Sequence, residues 1–349
     1  MTERAIPATI RDVALRAGVS TATVSRVLAG IGNPKPDTAA AVMTAAAELG
    51  FRPSGVARSL RMKRTRTLGL IVTDIQNPFF PELVQAADMA ARSLGYSILL
   101  GSAAYDEHRA MHYLDLMVDR RVDGMIVASS QLSEESWQWL LSSPVPVVVV
   151  NAEPTGLPVT VITSDNMGGA RLAVEHLLGL GHRRIAYVRG SESFTADAPR
   201  LAGFRQACRD AGLREVDCPE LRGDAQPEGG ERAAAEILER GLDVTAIACY
   251  NDMTAIGVLH ALRAARRRVP EELSVVGCDD IAAASWVAPS LTTVAQQKSE
   301  MGRLAVEHLA AALDGIEDAG TPRTILLPMV LRVRESTGLA PNQDGGRAT

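Results

Sequence analysis

The chain has 349 residues, of which 46% are hydrophobic and 22% are charged, and its formal net charge is −5. A chain of this length and composition can bury two or three hydrophobic cores, which excludes a single small domain. No run reaches the ~18 apolar residues that span a bilayer, and residues 1–30 lack the apolar stretch of a signal peptide, so we expect a cytoplasmic protein.

The charge is divided unevenly along the chain. Residues 1–66 contain 11 Lys and Arg against 4 Asp and Glu, whereas the remaining residues contain 25 against 37. A basic head with a net charge of +7, followed by an acidic body with a net charge of −12, indicates that only the head binds a polyanion.

The beginning of the chain predicts a helix, a tight turn and a second helix. Thr9 and Asp12 have the form of a capping box ahead of residues with a helical apolar period. Gly18 can then adopt a left-handed turn, and Ser20 can cap a second helix that runs from Thr21 to about Leu28. A short helix with small outward residues can enter the major groove of DNA.

A third, Ala-rich helix is predicted from about Thr38 to Leu49. Gly50 would end it, and Phe51 is placed for the hydrophobic contact of a Schellman motif. The head, residues 1–51, would then be a small all-α helix-turn-helix domain. An alternative is a helical bundle that docks on the rest of the chain, but the order of caps and turns and the positive charge favour DNA binding.

Residues 52–66 connect the head to the body and are predicted to be a hinge. Pro53 disfavours helix at the residue before it, and a short helix can restart at Ser54. Leu60 is an apolar residue in a context too polar for a core helix. The alternative is an inert linker with solvated charges.

The head resembles the DNA-binding domain of the LacI/GalR family of bacterial transcription regulators. The motifs that carry the resemblance are Thr9-Ile10-Arg11-Asp12-Val13-Ala14, Ala17-Gly18-Val19-Ser20, Thr23-Val24-Ser25-Arg26-Val27-Leu28 and Leu49-Gly50-Phe51-Arg52-Pro53. The resemblance implies that a recognition helix and a hinge helix, whose leucine enters the minor groove, contact an operator. The implied DNA-binding residues are Ser20, Thr21, Ala22, Thr23, Ser25, Arg26, Val56, Ala57, Arg58 and Leu60.

The body, residues 67–335, alternates short apolar runs with amphipathic helical segments, which predicts parallel sheets covered on both faces. We expect two doubly wound α/β lobes, with their boundary near residues 151–161. Residues 336–349 are polar and Gly-rich and are predicted to be a disordered tail.

Polar and aromatic residues follow most of the predicted strands, where ligands bind in open parallel sheets. Helix capping is the alternative explanation for the acidic ones, such as Asp74 and Asp165. Their recurrence at nearly every strand end favours a cleft. The residues predicted to bind an effector at these strand ends are Asp74, Asn77, Phe79, Phe80, Ser129, Ser130, Asp165, Asn251 and Asp279.

The family resemblance continues through the body, which is similar to periplasmic sugar-binding proteins. It is carried by Asn77-Pro78-Phe79-Phe80, Arg121-Val122-Asp123-Gly124, Gly181-His182-Arg183-Arg184-Ile185-Ala186, Arg200-Leu201-Ala202-Gly203-Phe204, Asn251-Asp252 and Pro289-Ser290-Leu291-Thr292-Thr293-Val294. It implies that Arg200, Asn251 and Asp279 are the polar anchors of a small effector.

The sequence contains none of the common motifs for catalysis, nucleotide binding or metal binding. GxSxG, GxGxxG, Walker and HExxH motifs are absent, and the four cysteines form no CxxC pair. We therefore expect no enzyme activity, no metal and no cofactor.

The sequence predicts a DNA-binding regulator, specifically a repressor. It would bind a palindromic operator as a homodimer, since the chain lacks the leucine heptads that make some family members tetramers. The expected effector is a sugar or sugar derivative. A purine or a protein corepressor remains an alternative, and a sugar-binding protein or enzyme is disfavoured.

Overall fold

The computed structural model describes residues 8–28, 32–51, 64–128, 132–153, 158–316 and 323–341. The chain divides into two compact units, Met1–Thr65 and Arg66–Thr349. In the first unit the helices are α1 (Ile10–Ala17), α2 (Thr21–Leu28) and α3 (Pro36–Glu48). Their shared core is formed by Val13, Ala14, Val24, Val42, Ala45 and Ala46.

The predicted start and end of the first helix are confirmed. The Thr9 hydroxyl accepts a hydrogen bond from the Asp12 backbone N–H at 3.4 Å, and the Asp12 carboxylate accepts one from the Thr9 N–H at 2.7 Å. Gly18 has a φ of 65°, in the left-handed region that favours glycine. Ser20 then caps α2 by accepting from the Thr23 N–H at 3.1 Å.

The third helix begins two residues earlier than predicted, because Pro36 lies in its first turn, where the missing N–H costs no hydrogen bond. At its end, the N–H of Gly50 donates to Ala47 O at 3.1 Å and that of Phe51 to Ala46 O at 2.9 Å. This pair of bonds is the predicted Schellman motif.

The second unit contains two six-stranded sheets. The first has the order β11-β5-β4-β3-β1-β2 and is parallel throughout; the second has the order β12-β10-β9-β8-β6-β7, and its edge strand β12 is antiparallel to β10. The strands are β1 (Thr67–Val72), β2 (Ser97–Ser102), β3 (Gly124–Ala128), β4 (Val147–Val150), β5 (Thr160–Ser164), β6 (Ile185–Val188), β7 (Glu220–Leu221), β8 (Ala246–Cys249), β9 (Ser274–Asp279), β10 (Thr292–Ala295), β11 (Arg323–Leu327) and β12 (Val330–Arg332).

Helices cover both sheets, as the apolar strand runs require. They are α4 (Phe79–Ser93), α5 (Glu107–Asp119), α6 (Glu134–Ser142), α7 (Asn166–Gly179), α8 (Asp197–Asp210), α9 (Pro227–Glu239), α10 (Asp252–Ala264) and α11 (Lys298–Leu313). Helices α4 and α11 pack closely, and a Cβ added at Gly302 would lie 2.3 Å from the Leu83 carbonyl oxygen. Only glycine allows this approach.

The predicted lobe boundary at residues 151–161 is wrong. Strand β5 pairs with β4 in the first sheet, and β11, from near the end of the chain, pairs with β5. Helix α11 packs on α4 and so also belongs to the first lobe. The chain therefore crosses between the lobes after β5, after β10 and after β11, because each sheet is completed by strands distant in sequence.

The prediction of a disordered tail is wrong for residues 336–341. Ser336 is fully buried, its hydroxyl donates to Val275 O at 2.6 Å, and its carbonyl accepts from the Val275 N–H at 2.8 Å. The ring of buried His182 lies 3.1 Å from Gly338 O. These polar groups form hydrogen bonds with the second lobe, so the segment can be ordered in spite of its polar composition. Residues 342–349 lie outside the described residues.

Candidate functional site

A cavity of about 50 Å³ lies between the two lobes of the second unit. A buried water needs about 10–15 Å³ by this measure, so the space holds more than one water molecule. The cavity is placed at the carboxyl ends of strands from both sheets. Its lining consists of Thr73, Asn77, Phe79, Phe80, Tyr105, Asn151, Phe194, Arg200, Ala225, Tyr250, Asn251, Asp279 and Gln296.

Arg200, in the first turn of α8, is the only cation in this lining and is buried. Its Nε donates to Asn166 Oδ1 at 2.9 Å, and its Nη1 donates to the Tyr250 carbonyl at 2.6 Å. The guanidinium carbon also lies 4.6 Å from the centre of the Tyr250 ring. These contacts hold the guanidinium in one orientation at the cavity wall.

Asp279 supplies the matching negative charge at the end of β9. Its Oδ1 lies 3.6 Å from Arg200 Nη2 and accepts a hydrogen bond from Gln296 Nε2 at 2.6 Å. Burial raises the pKa of this carboxyl, and Arg200 opposes the rise. The charges that line the cavity therefore balance each other.

Lys298 joins Asp279 to the first lobe from the first turn of α11. Its buried Nζ donates to the Asp279 carbonyl at 2.6 Å and the Asp280 carbonyl at 2.9 Å, and lies 3.3 Å from a carboxylate oxygen of Glu82 on α4. A movement of the backbone at Asp279 would therefore act directly on Lys298 and on its contact with α4.

In two asparagines of the lining the side-chain oxygen accepts a backbone hydrogen bond, and in a third it does not. Asn77 Oδ1 accepts from the Phe79 N–H at 3.0 Å, and Asn251 Oδ1 accepts from the Thr254 N–H at 2.9 Å. Asn151 Oδ1 is buried and has no hydrogen-bond partner among the described residues. A buried acceptor of this kind is suited to a hydroxyl or amide of a ligand.

Five aromatic side chains line the cavity, although aromatic residues make up only 4% of the chain. Phe79 and Phe80 meet edge to face, with their ring centres 5.1 Å apart. The ring centre of Phe194 lies 5.6 Å from that of Tyr105 and 6.1 Å from that of Tyr250. Rings of this kind cover the apolar face of a small ligand.

Tyr105 also closes the cleft by a direct contact between the lobes. It follows β2 in the first lobe with a positive φ of 60°, and its hydroxyl accepts from Gln226 Nε2 in the second lobe at 2.7 Å. Burial raises the pKa of the phenol, which therefore remains protonated near neutral pH.

The structure brings six of the ten predicted effector-binding residues to the cavity: Asn77, Phe79, Phe80, Arg200, Asn251 and Asp279. Asp74 and Asp165 are not in the lining. Asp74 accepts from the Gln76 N–H at 3.0 Å, and Asp165 caps α7 by accepting from the Gly168 N–H at 2.8 Å. Ser129 and Ser130 lie outside the described residues.

The sequence interpretation missed several lining residues. Thr73, Asn151, Tyr250 and Gln296 each come directly after a strand, so the rule that selected the other residues could have found them. Tyr105, Phe194 and Ala225 come from longer loops, and only the folded chain places them at the cavity.

In the head, α2 presents the side chains predicted to contact DNA. Ser20, Thr21, Ala22 and Arg26 are exposed, while Thr23 and Ser25 are half-buried. Arg26 Nε has one long contact, to the Ala22 carbonyl at 3.4 Å. Arg26 and Lys35 line the same surface groove, so two cations are available on this side of the head. The predicted hinge residues Val56, Ala57, Arg58 and Leu60 lie outside the described residues.

The described residues contain no group of three or more His, Cys, Asp or Glu side chains placed to hold a metal ion. None of the described helices combines the length and the apolar character that crossing a bilayer requires.

Residues 9–54 match the model of the bacterial regulatory proteins of the lacI family, and residues 174–337 match the periplasmic binding protein-like domain. The transcriptional repressor PurR of Haemophilus influenzae (strain PittEE) is 37% identical over 303 residues, which cover 86% of this chain and 90% of that protein. The ribose operon repressor of Escherichia coli (strain K12) is also 37% identical, with 86% and 92% of the two chains covered.

Among solved structures, the lac repressor dimer bound to operator and the anti-inducer ONPF superposes with a TM-score of 0.86. It is 28% identical in sequence, and the match covers 95% of this chain and 100% of that one. These relatives are repressors, in agreement with the prediction of a regulator and not an enzyme. The chain belongs to the lacI family of bacterial regulatory proteins, with a DNA-binding head and an effector-binding body of two α/β lobes.

Proposed function

We propose that this protein is a homodimeric repressor whose affinity for a palindromic operator is controlled by an uncharged polyol, a sugar or a sugar derivative. The effector binds in the cavity between the lobes. The observation that carries the proposal is the composition of the lining: one balanced ion pair, polar amides and aromatic rings.

The charge balance favours an uncharged ligand. A sugar acid or a phosphate would need a cation that is free of an acidic partner, and Arg200 already lies beside Asp279 in the buried wall. Hydroxyl groups can donate to Asp279 and accept from Arg200 without adding net charge. An uncharged polyol therefore meets both anchors at a lower desolvation cost than an anion.

The remaining groups fit the two faces of a sugar ring. The free Oδ1 of Asn151 can accept from a hydroxyl, and the rings of Phe79 and Phe194 can cover C–H faces. The cavity of about 50 Å³ is small compared with ordinary ligand pockets, so the lobes must separate to admit a sugar ring.

A purine is the second candidate, because flat rings also stack on aromatic side chains and PurR is as similar to this chain as the ribose operon repressor. A protein corepressor would be the third, but a lined cavity with an unpaired acceptor argues for a small molecule. The two small-molecule candidates differ in their chemistry: a sugar binds through its hydroxyl groups, and a purine base has none.

Thermal-shift and calorimetric screening of neutral sugars, polyols, sugar acids and nucleobases tests the proposal. A ligand that binds only the native state stabilises it by RT ln(1 + [L]/Kd), so the true effector raises the midpoint with concentration. We expect a neutral sugar to do so. A purine as the only hit, or a sugar phosphate as the best one, would contradict the proposal.

Asn151→Gly provides the matched variant. Glycine accepts the positive φ of 56° at this position, so the change removes the acceptor without backbone strain. We expect weaker binding of the hit by Asn151→Gly and unchanged binding by Gln138→Ala, which alters an amide on the exposed part of α6. Equal affinity in both variants would remove Asn151 from the site.

We describe the control of DNA binding by two states of the protein, one competent and one incompetent to bind the operator. An effector shifts the affinity for operator only if it binds the DNA-competent and the DNA-incompetent states with different affinities. Residues 52–66 connect the body to the head and are the proposed place of coupling, with Leu60 as the minor-groove residue. Leu60→Ser is expected to weaken operator binding while the effector affinity of the free protein stays the same.

A further inference from the structure

Two of the four cysteines are neighbours in space, away from the cavity. Cys208 lies in the last turn of α8, and Cys218 ends the short 3₁₀ turn Glu215–Asp217 that leads into β7. Both belong to the same buried cluster and line the same surface groove, and each thiol shifts the pKa of the other. Cys249 lies on β8 in a different cluster, and Cys278 lies on the central strand β9, outside the groove that the pair lines.

The backbone holds both cysteines in defined positions. The Cys208 carbonyl accepts from the Leu213 N–H at 3.0 Å in the helix-ending turn, where Gly212 has a φ of 69°. The N–H of Cys218 donates to the Glu215 carbonyl at 3.0 Å. Both cysteines therefore lie in backbone turns that are fixed by hydrogen bonds.

The pair is also reachable from solvent. Cys208 and Cys218 line one open surface groove of about 360 Å³, together with Arg205, Arg209 and Arg214. Cys218 is 9% exposed, compared with 4% for Cys208. A small oxidant can reach Cys218 through this groove, and a thiol of this kind is placed to react before deeply buried ones.

We propose that Cys208 and Cys218 form a redox modification site, in which a hydroperoxide converts the two thiols into a reversible intrachain disulfide. The hydroperoxide transfers one oxygen atom to Cys218 Sγ, which gives a sulfenic acid, and is itself reduced to the alcohol, or to water in the case of hydrogen peroxide. Cys208 Sγ then attacks Cys218 Sγ, the S–S bond forms, the S–O bond breaks, and the hydroxyl leaves as water with the Cys208 proton.

Protonation favours the same order of events. The hydrogen bond from Cys208 lowers the pKa of Cys218 and raises that of Cys208, so Cys218 has the larger thiolate fraction. Burial raises the pKa of Cys249 and Cys278, which are therefore unreactive internal references.

Peptide mapping of the intact protein tests the site. The folded protein is treated with hydrogen peroxide, alkylated under denaturing conditions and digested with trypsin without reduction. Cleavage at the arginines separates the two cysteines into residues 206–209 and 215–222. We expect these peptides to be recovered as a linked pair that dithiothreitol separates, while Cys249 and Cys278 are alkylated in full.

Serine variants identify the roles. In Cys208→Ser the sulfenic acid on Cys218 has no resolving thiol, so dimedone labels Cys218 and no link forms. Cys249→Ser keeps both members of the pair and is expected to form the link as the wild type does. Recovery of both peptides as alkylated thiols after peroxide, or links that join Cys218 to Cys249, to Cys278 or to a second chain, would overturn the proposal.

Discussion

The recognition helix of the head and the cavity of the body use charge in opposite ways. On α2, Arg26 is exposed and has a single long contact to a carbonyl of its own helix. In the cavity, Arg200 is buried and bonded to Asn166, Tyr250 and Asp279. The desolvation cost is small when an exposed cation binds a phosphate or a guanine. A buried ion pair, in contrast, is destabilised when an added charge disturbs its neutrality. The head is thus suited to a polyanion, and the cavity to a neutral polar molecule.

The strongest test of this contrast is Arg200→Met. The change leaves Asp279 buried without its cation, so we expect the free energy of unfolding to fall by about 3–5 kcal/mol. Arg205→Met, on the same helix, breaks an ion pair with Glu220 in which the arginine is half exposed, and should cost about 0–1 kcal/mol. Chemical denaturation measures both, and equal losses would show that Asp279 does not depend on Arg200.

Removal of the exposed cation should affect binding and leave folding unchanged. We expect Arg26→Ala to weaken operator binding by about 1–3 kcal/mol and to relax the base preference at one position. Arg92→Ala removes the same charge from α4, where Arg92 pairs with Asp88, and should leave operator binding unchanged. Binding to an operator array at several salt concentrations measures both effects, and an unchanged profile would remove Arg26 from the recognition set.

Loss of the hydrogen bond between Tyr105 and Gln226, which joins the two lobes, should have a smaller effect. Tyr105→Phe keeps the ring beside Phe194 and removes the hydroxyl that accepts from Gln226. In a double-mutant cycle with Gln226→Ala, we expect a coupling of about 0.5–1.5 kcal/mol in the affinity for the sugar found by screening. Tyr113→Phe, outside the cavity lining, is the control. A coupling of zero would show that this hydrogen bond does not contribute to the closed cleft.

The smallest expected effect is a pH dependence of the tail contacts. Burial lowers the pKa of His182 below 6.5, so the unfolded chain binds the proton first as the pH falls. Stability from this residue is complete above pH 6.5 and declines below it, by at most about 1.4 kcal/mol per pH unit. Asp252 acts in the opposite direction, because burial and Asp279 raise its pKa to about 7.

The His182 contribution is therefore measured as a difference. Denaturation of the wild type and His182→Gln between pH 8 and about 5.5 should give curves that converge at the acidic end. His260→Gln, on the exposed side of α10, should follow the wild type. If the free energies of unfolding of the wild type and His182→Gln differed by the same amount at every pH, the titration of His182 would not contribute to stability.

Local sequence patterns were sufficient for most helices and central strands. The strands β6 and β8 are recognisable in the sequence, because their four residues are buried on both faces and form continuous apolar runs. The capping box at Thr9 and the end of α3 at Gly50 also follow from local hydrogen bonding. Strands β7, β11 and β12 have no such pattern, since they are short or lie at sheet edges with exposed residues.

The sequence by itself determined the family, the three-helix head and the alternation of strands and helices, because each depends on residues that are close along the chain. Tertiary structure decided which lobe each late element joins, since β11 and α11 pack on partners more than a hundred residues away. It also decided the wall of the cavity. Tyr105, Phe194 and Ala225 join Arg200 in the cavity lining only when both sheets are complete, and a long-range contact of this kind leaves no periodic trace in the sequence.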